Sequence, residues 1–314
     1  MTFFGQLADG RDVHAITITA QGLSATILTY GAILQDVRLD GIDHSLTVGS
    51  DKLSDYETIM PYHGAIVGPV ANRIKGARVV LDGIEHMLDP NLLGRHTLHG
   101  GRRGLHNRIW QVAAHGQSYV ELTTHLLDGE AGFPANRTIN ARFDISQNAT
   151  LTLTITTTSD GPTIVNATNH SYWCLGGVGR MDDHELQIHA NQFLPTDATA
   201  FPTGEIADVA GTPFDFRAPT PLTFGDNEYD NTFCLSDQRA DLTVCLELRN
   251  AQVSLIVATT ESGVHIYDDA PNFAGLAIET QSWPDATNHP HFPSINAYPD
   301  APVVQVTQWK FEHR

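Results

Sequence analysis

Basic residues are scarce in this chain. Against 36 Asp and Glu it carries 18 Lys and Arg, a formal net charge of −18 over 314 residues, and that balance repels phosphate backbones and anionic membrane surfaces. Nucleic acid and membrane are therefore not expected partners. Cysteine is scarcer still: Cys174, Cys234 and Cys245 are an odd set without a Cys-x-x-Cys pair, which points to reduced, packed thiols and away from a disulfide framework. No apolar run approaches the ~20 residues needed to span a bilayer. The start, Met1-Thr2-Phe3-Phe4-Gly5-Gln6, has no basic stretch leading into an apolar signal segment. The chain thus reads as soluble and cytoplasmic, and the four Asn-x-Ser/Thr matches at Asn136, Asn148, Asn166 and Asn169 read as chance. Linkers, low-complexity tracts and short-period repeats are also missing.

What is present is alternation. Hydrophobic residues make up 41% and charged residues 17%, the balance of a folded protein with a sizeable core. Leu151, Leu153 and Ile155 alternate with Thr150, Thr152, Thr154 and Thr156, the pattern of a strand with one buried face. Similar alternation runs through Ile139/Ala141/Phe143/Ile145, Leu186/Ile188/Ala190 and Val304/Val306 against Gln305/Thr307. Asp40-Gly41 and Asp82-Gly83 each follow an apolar run and predict β-hairpins, because Asp-Gly supplies the positive φ angles of a type I′ turn. Many short strands among 26 Gly and 16 Pro, with no alternating helical pattern, predict an all-β fold, a large antiparallel sandwich or barrel.

The stretch Gly275-Leu276-Ala277-Ile278-Glu279-Thr280-Gln281 puts one carboxylate, Glu279, at the end of an apolar run, just before a segment rich in turn-formers. Such a glutamate is expensive to desolvate, so it finds a partner or has its basicity raised, as a general base requires. In Asn166-Ala167-Thr168-Asn169-His170-Ser171-Tyr172-Trp173 a histidine sits among side chains able to fix its tautomer. His170 is then either a general acid or a half-buried histidine that satisfies strand-end backbone. Asn72-Arg73 and Leu98-His99-Gly100-Gly101 suit a hydroxyl-binding loop approached closely by a ligand. Read alone, Arg73 is better explained as a surface ion pair and Gly100-Gly101 as a turn.

Other chemistries find less support. Gly100-Gly101-Arg102-Arg103-Gly104 matches neither the P-loop nor the dinucleotide fingerprint. Among 16 histidines the closest pairs, His96/His99 and His289/His291, lack the spacing of a helical zinc motif and a carboxylate placed as third ligand. No Gly-x-Ser-x-Gly elbow is present and the cysteines lie in apolar surroundings. No cofactor or metal is demanded. Acid–base chemistry on a neutral polar substrate remains.

Taken in order, these segments resemble the aldose 1-epimerase (galactose mutarotase) family. The resemblance rests on Gly-x-x-Ala-Asn-Arg-Ile at 68–74, Leu-His-Gly-Gly at 98–101, Thr-Asn-His-Ser-Tyr at 168–172, Pro-Thr-Gly-Glu at 202–205, Gly-Thr-Pro-Phe-Asp-Phe-Arg at 211–217, Tyr-Asp-Asn-x-Phe at 229–233 and Glu-Thr-Gln-x-x-Pro-Asp at 279–285; Leu28-Thr29-Tyr30-Gly31-Ala32 looks similar too. It implies one β-supersandwich domain over 1–314 that interconverts the α and β anomers of free hexoses without a cofactor. It also implies that Glu279 is the general base and His170 the general acid, with Asn72, Arg73, His99, Tyr172 and Asp230 lining the sugar site. The chain departs from the family pattern at Pro69, Trp173-Cys174, His265 and Asp268-Asp269, which leaves the preferred sugar open. Two alternatives stand beside this reading: an epimerase of a phosphorylated or modified sugar, which would need cations such as Arg102 and Arg103, and a carbohydrate-binding sandwich without activity.

Overall fold

The computed structural model describes residues 1–314 except 178, 180, 182, 224–228 and 270–271. Its paired strands are all antiparallel. A nine-stranded sheet runs in the order Gln111–His115, Tyr119–Leu126, Arg137–Ser146, Thr150–Ser159, Val303–His313, Val253–Thr259, Thr243–Arg249, Glu185–Ile188, Thr220–Pro221. A six-stranded sheet runs Tyr172–Trp173, Leu276–Gln281, Gly263–Asp268, Asp230–Cys234, Gln192–Leu194, Ala207–Asp208. The N-terminal strands Thr2–Gln6, Asp12–Ala20, Leu23–Leu28 and Leu34–Leu39 form a four-stranded sheet. Among the described residues the sole α-helix is the short Leu53–Thr58.

Alternation explains how the two larger sheets meet. All six residues of Leu276–Gln281 are buried, so both faces of this strand are covered. One face looks toward the nine-stranded sheet: Thr280 hydrogen-bonds Thr307. Trp173, on the neighbouring strand, packs its ring against Trp309 and Phe311. Glu279, one residue from Thr280, must point the other way. One apolar core runs from Leu7 to Phe311 through all three sheets. A smaller cluster of Val70, Ile74, Val79, Leu81 and Ile295 supports the loop that carries Asn72 and Arg73.

The predicted strands at 139–145 and 151–155 form as expected, while the strand at Leu186 and Ile188 ends at Ile188 and leaves Ala190 outside. In Val303–His313 the valines are not the core face. Val304 is exposed, whereas Gln305, Thr307, Trp309 and Phe311 are buried. The reason is local: Gln305 accepts a hydrogen bond from the Ala167 N–H and donates one to the Ala167 carbonyl, so polar side chains on this strand brace the segment leading to His170.

Asp82-Gly83 makes the expected two-residue hairpin, with φ of 50° and 82° and Leu81 paired with Ile84. Asp40-Gly41 does not. It is a turn in which Gly41, but not Asp40, has positive φ. Past it the chain leaves the four-stranded sheet, and Leu46 and Val48 hydrogen-bond the edge strand Tyr172–Trp173 through Cys174 and Tyr172. The three cysteines form no disulfide.

Candidate active site

Sheet register assembles one wall of a cavity of about 410 Å³. In the six-stranded sheet Glu279 lies opposite His265, His265 opposite Thr232, and Tyr267 opposite both Ala277 and Asp230. Glu279, His265, Thr232 and Asp230 therefore share one face. Tyr172, paired with Ala277 on the edge strand, and Tyr267 continue that face, and Tyr62, His63, Asn72, Arg73, His99 and His170 complete the lining. All seven site residues expected from the sequence, Glu279, His170, Asn72, Arg73, His99, Tyr172 and Asp230, line this cavity.

His170 and Glu279 face each other across it, with Nε2 and Oε1 3.5 Å apart and both side chains buried. The Thr and Asn neighbours of His170 do not fix its ring, contrary to the sequence expectation. Asn169 donates to the Gly64 carbonyl and accepts from the Ser171 N–H, and Thr168 donates to the Thr280 carbonyl. Together with His170's own backbone bonds to Ala65 and Gly64, these lock the main chain. The ring is held by packing, with Tyr172, His99 and Tyr62 at centroid distances of 5.2, 5.3 and 5.9 Å.

Asn72 and His99 lock one another. The Asn72 N–H donates to His99 Nδ1 at 3.1 Å, and the His99 N–H donates to the Asn72 carbonyl at 3.0 Å. Both residues sit at positive φ, 58° and 49°, a conformation kept where surrounding structure over-determines it. The bond fixes the tautomer of neutral His99 with its proton on Nε2. Gly100 follows with φ of 79°, and a Cβ there would lie 2.0 Å from the Gly68 carbonyl oxygen, while one on Gly101 would meet the Asp89 side chain; the glycines expected to allow a close ligand approach serve close packing within the chain instead.

Arg73 grips Asp230 in a two-point pair, Nη1 to Oδ1 at 3.1 Å and Nη2 to Oδ2 at 2.8 Å, and its Nη1 also reaches Asn72 Oδ1 at 3.3 Å. His265 adds Nε2 at 3.1 Å from Asp230 Oδ1, with its Nδ1 on the Thr232 hydroxyl at 2.8 Å. This clamp governs the electrostatics. Burial works to raise the Asp230 carboxyl, but His265 and Arg73 outweigh it and bring it to about 2. Glu279 lacks such a partner. Burial, with some help from the Asp230 charge, pushes it up to about 7 against the opposing effect of His265 and Arg73. Burial also drives His170 down to about 3 and His99 well below the usual range. It raises the Tyr172 phenol.

The lining residues Tyr62 and His63, which follow the helix, carry no local sequence signal; His106, outside the lining, packs its ring against Tyr62 at 4.9 Å. Of the departures from the family pattern, His265 and Asp269 line the cavity, whereas Pro69, Trp173, Cys174 and Asp268 are not among its lining residues. Arg102 and Arg103 border a different pocket with Arg11 and Arg108. His96 and His291 bond the Gly76 N–H and the Gly204 carbonyl, away from the cavity.

The arrangement offers a buried base near neutrality, an imidazole within proton-transfer reach and a charged clamp for hydroxyls. The sequence profile of the aldose 1-epimerase family matches residues 14–308. The chain belongs to this family. Galactose mutarotase of Bos taurus is 34% identical over 337 residues, covering 98% of this chain and 97% of that protein. Aldose 1-epimerase of Escherichia coli (strain K12) is 28% identical over 334 residues, covering 96% of each. The solved structure of an aldose epimerase homologue from C. elegans superposes with a TM-score of 0.88 at 28% identity, covering 96% of this chain and 99% of that one. That of galactose 1-epimerase from Lactobacillus acidophilus NCFM gives 0.85 at 26%, covering 98% and 97%. The all-β architecture of this aldose 1-epimerase family member is thus that of its relatives. Among the described residues no helix is long and apolar enough to cross a membrane.

Proposed function

We propose that the protein is a cofactor-independent mutarotase that interconverts the α and β anomers of free aldohexoses. One observation carries this reading: Glu279 Oε1 and His170 Nε2 stand 3.5 Å apart inside a cavity whose remaining polar wall is the Arg73–Asp230 clamp. Opening a pyranose ring needs a proton taken from the C1 hydroxyl and another given to the ring oxygen. Glu279 takes the first as base and His170, uncharged at rest, gives the second as acid from its Nε2–H and recovers it on reclosure, each contributing ~10²–10⁴-fold. Rotation about C1–C2 and reclosure with the transfers reversed delivers the other anomer. Arg73, Asp230, Asn72, His99 and Tyr172 orient the hydroxyls, which lowers the entropy of reaching the reactive geometry.

The charge of the cavity argues against a phosphorylated substrate. Among the described lining residues Arg73 is bound to Asp230, and Asp269 and Glu279 add further acids, so no free cation meets a phosphate. An inactive sugar-binding sandwich has no use for a carboxyl raised to about 7 beside an imidazole. We place the activity in the cytoplasm, in a single domain over 1–314, with a small sugar and neither nucleic acid nor membrane as partner. The net charge of −18 supports that assignment.

Polarimetry tests the reading. Freshly dissolved α-galactose and α-glucose should reach anomeric equilibrium faster with the wild type, and His170→Asn should lose most of the acceleration. No acceleration across a panel of free aldoses would overturn the assignment. Sugar binding without acceleration would support the inactive sandwich instead.

A further inference from the structure

Arg73 is held from behind as well as from the cavity. Its short strand, Arg73–Ile74, pairs with Thr97–Leu98, and the loop that follows the Glu279 strand grips it again. The Asp285 N–H donates to the Arg73 carbonyl at 3.1 Å, and Asp285 Oδ1 accepts the Lys75 N–H at 2.9 Å. Asn288 closes this bracket, its amide donating to Asp285 Oδ1 at 2.6 Å and to the Lys75 carbonyl at 3.2 Å. Asp285 Oδ2 has no hydrogen-bond partner and faces His289 Nε2 at 3.6 Å, so only Oδ1 serves the bracket. Asp285 is 3% exposed and is not among the residues lining the cavity of Glu279 and His170. A carboxyl is costly to bury and is kept where it has bonds to make. This one also sits at φ of 58°, a conformation that Asp and Asn reach more readily than most residues. Upstream, the same loop is pinned where Asn166 and Ser282 exchange two hydrogen bonds, at 2.7 and 3.2 Å.

We propose that Asp285 is a positioning residue for the Arg73–Asp230 clamp, setting where the Arg73 guanidinium emerges without itself reaching the substrate. Arg73 and Lys75 flank Ile74, whose side chain is buried in the smaller apolar cluster. Fixing the main chain on both sides of Ile74 leaves the Arg73 backbone little freedom to shift or turn. The guanidinium then meets Asp230 at two points, and a two-point pair is geometrically exacting. Glu279 and Asp285 belong to one continuous segment with Ser282 pinned between them, so the base and the clamp are set relative to each other. What the bracket requires of residue 285 is an acceptor at Oδ1, not a charge. The kinetic consequence rests on the mutarotase reading; the geometry does not.

Two substitutions separate the acceptor from the backbone conformation. Asp285→Asn keeps an oxygen acceptor and tolerates the positive φ, whereas Asp285→Gly keeps the φ and removes the acceptor. In steady-state polarimetry with galactose, Asp285→Gly should raise KM about 10-fold while kcat changes less than about 3-fold, short of the ~10²-fold that a displacement of ~1 Å can cost. Asp285→Asn should restore most of the wild-type KM. Asp285→Gly combined with Arg73→Met should be no worse than Arg73→Met alone, because both changes act through one pair. Crystal structures should show the Arg73–Asp230 pair opened in Asp285→Gly and kept in Asp285→Asn. If circular dichroism shows that Asp285→Gly does not fold, Asn288→Ala, which removes the amide tying Oδ1 to the Lys75 carbonyl, should give the same rise in KM to a smaller extent. An unchanged KM with the pair intact, a fall in kcat alone, multiplied losses in the double variant, or Asp285→Asn as impaired as Asp285→Gly would each overturn the role. A wild type that accelerates no aldose would refute the mutarotase reading, and the Arg73–Asp230 distances in the variant crystals would still decide the positioning.

Discussion

Glu279 is held 1% exposed beside an imidazole that burial keeps uncharged, and this shapes both rate and stability. Its carboxyl stands near 7 in the fold against 4.5 as the reference value. The folded state thus binds the extra proton between those values, and stability falls as pH rises from about 4.5 through 7. The cost at alkaline pH is about 3 kcal/mol. Glu279→Gln should therefore be more stable than wild type by about that amount at pH 8 and nearly equal at pH 5, as urea titrations at the two values would show. The same variant should lose ~10²–10⁴-fold in kcat, and kcat/KM of the wild type should rise with pH through about 7 as the base ionises. A flat profile across that range would remove Glu279 from the base role. At the clamp, Arg73→Met leaves the Asp230 carboxylate with His265 alone. That variant should raise KM and cost about 3 kcal/mol in stability.

Elements matter here through register and through what braces them. His265 stands opposite Glu279 because Gly263–Asp268 and Leu276–Gln281 pair in one antiparallel register; a slip of one residue would put the two side chains on opposite faces of the sheet. Gln305, on the central strand of the large sheet, holds both backbone groups of Ala167. Gln305→Leu strands two buried polar groups and should destabilise the fold by about 3 kcal/mol. The accompanying loss of kcat should exceed any change in KM, because Ala167 leads to His170, the proposed acid. Thermal denaturation with steady-state polarimetry would show both effects. Gly100→Ala meets the Gly68 carbonyl and a positive φ together, so the loop bearing His99 should not close. Normal activity in that variant would contradict the packing described here.

At the scale of the molecule, one apolar core joins all three sheets from Leu7 to Phe311. A continuous core of this kind favours a single cooperative transition, and calorimetry should give one peak. Two separable peaks would argue for two units. No disulfide joins the three cysteines, two of which are buried, so reducing agent should leave the transition temperature unchanged.

Strand identity and fold class were legible because burial on one face writes a period of two into the chain, as in Leu151/Leu153/Ile155. Most of the cavity was legible too, because its residues sit in short segments whose order resembles a known family. The order of residues alone set the chemistry on offer: a carboxyl in an apolar strand, histidines and an Asn-Arg pair. What it could not contain was geometry between segments far apart in the chain. Packing in three dimensions settled that Val304 faces out and Gln305 in, and that Asp40-Gly41 turns away from its sheet without forming a hairpin. It also decided that Tyr62 and His63 close the cavity and that His99 meets His170 and Glu279 instead of His96. The physical reason is common to these cases. Local pattern records whether a side chain is buried, while its partner is set by strand register and loop packing, which depend on residues up to two hundred positions away.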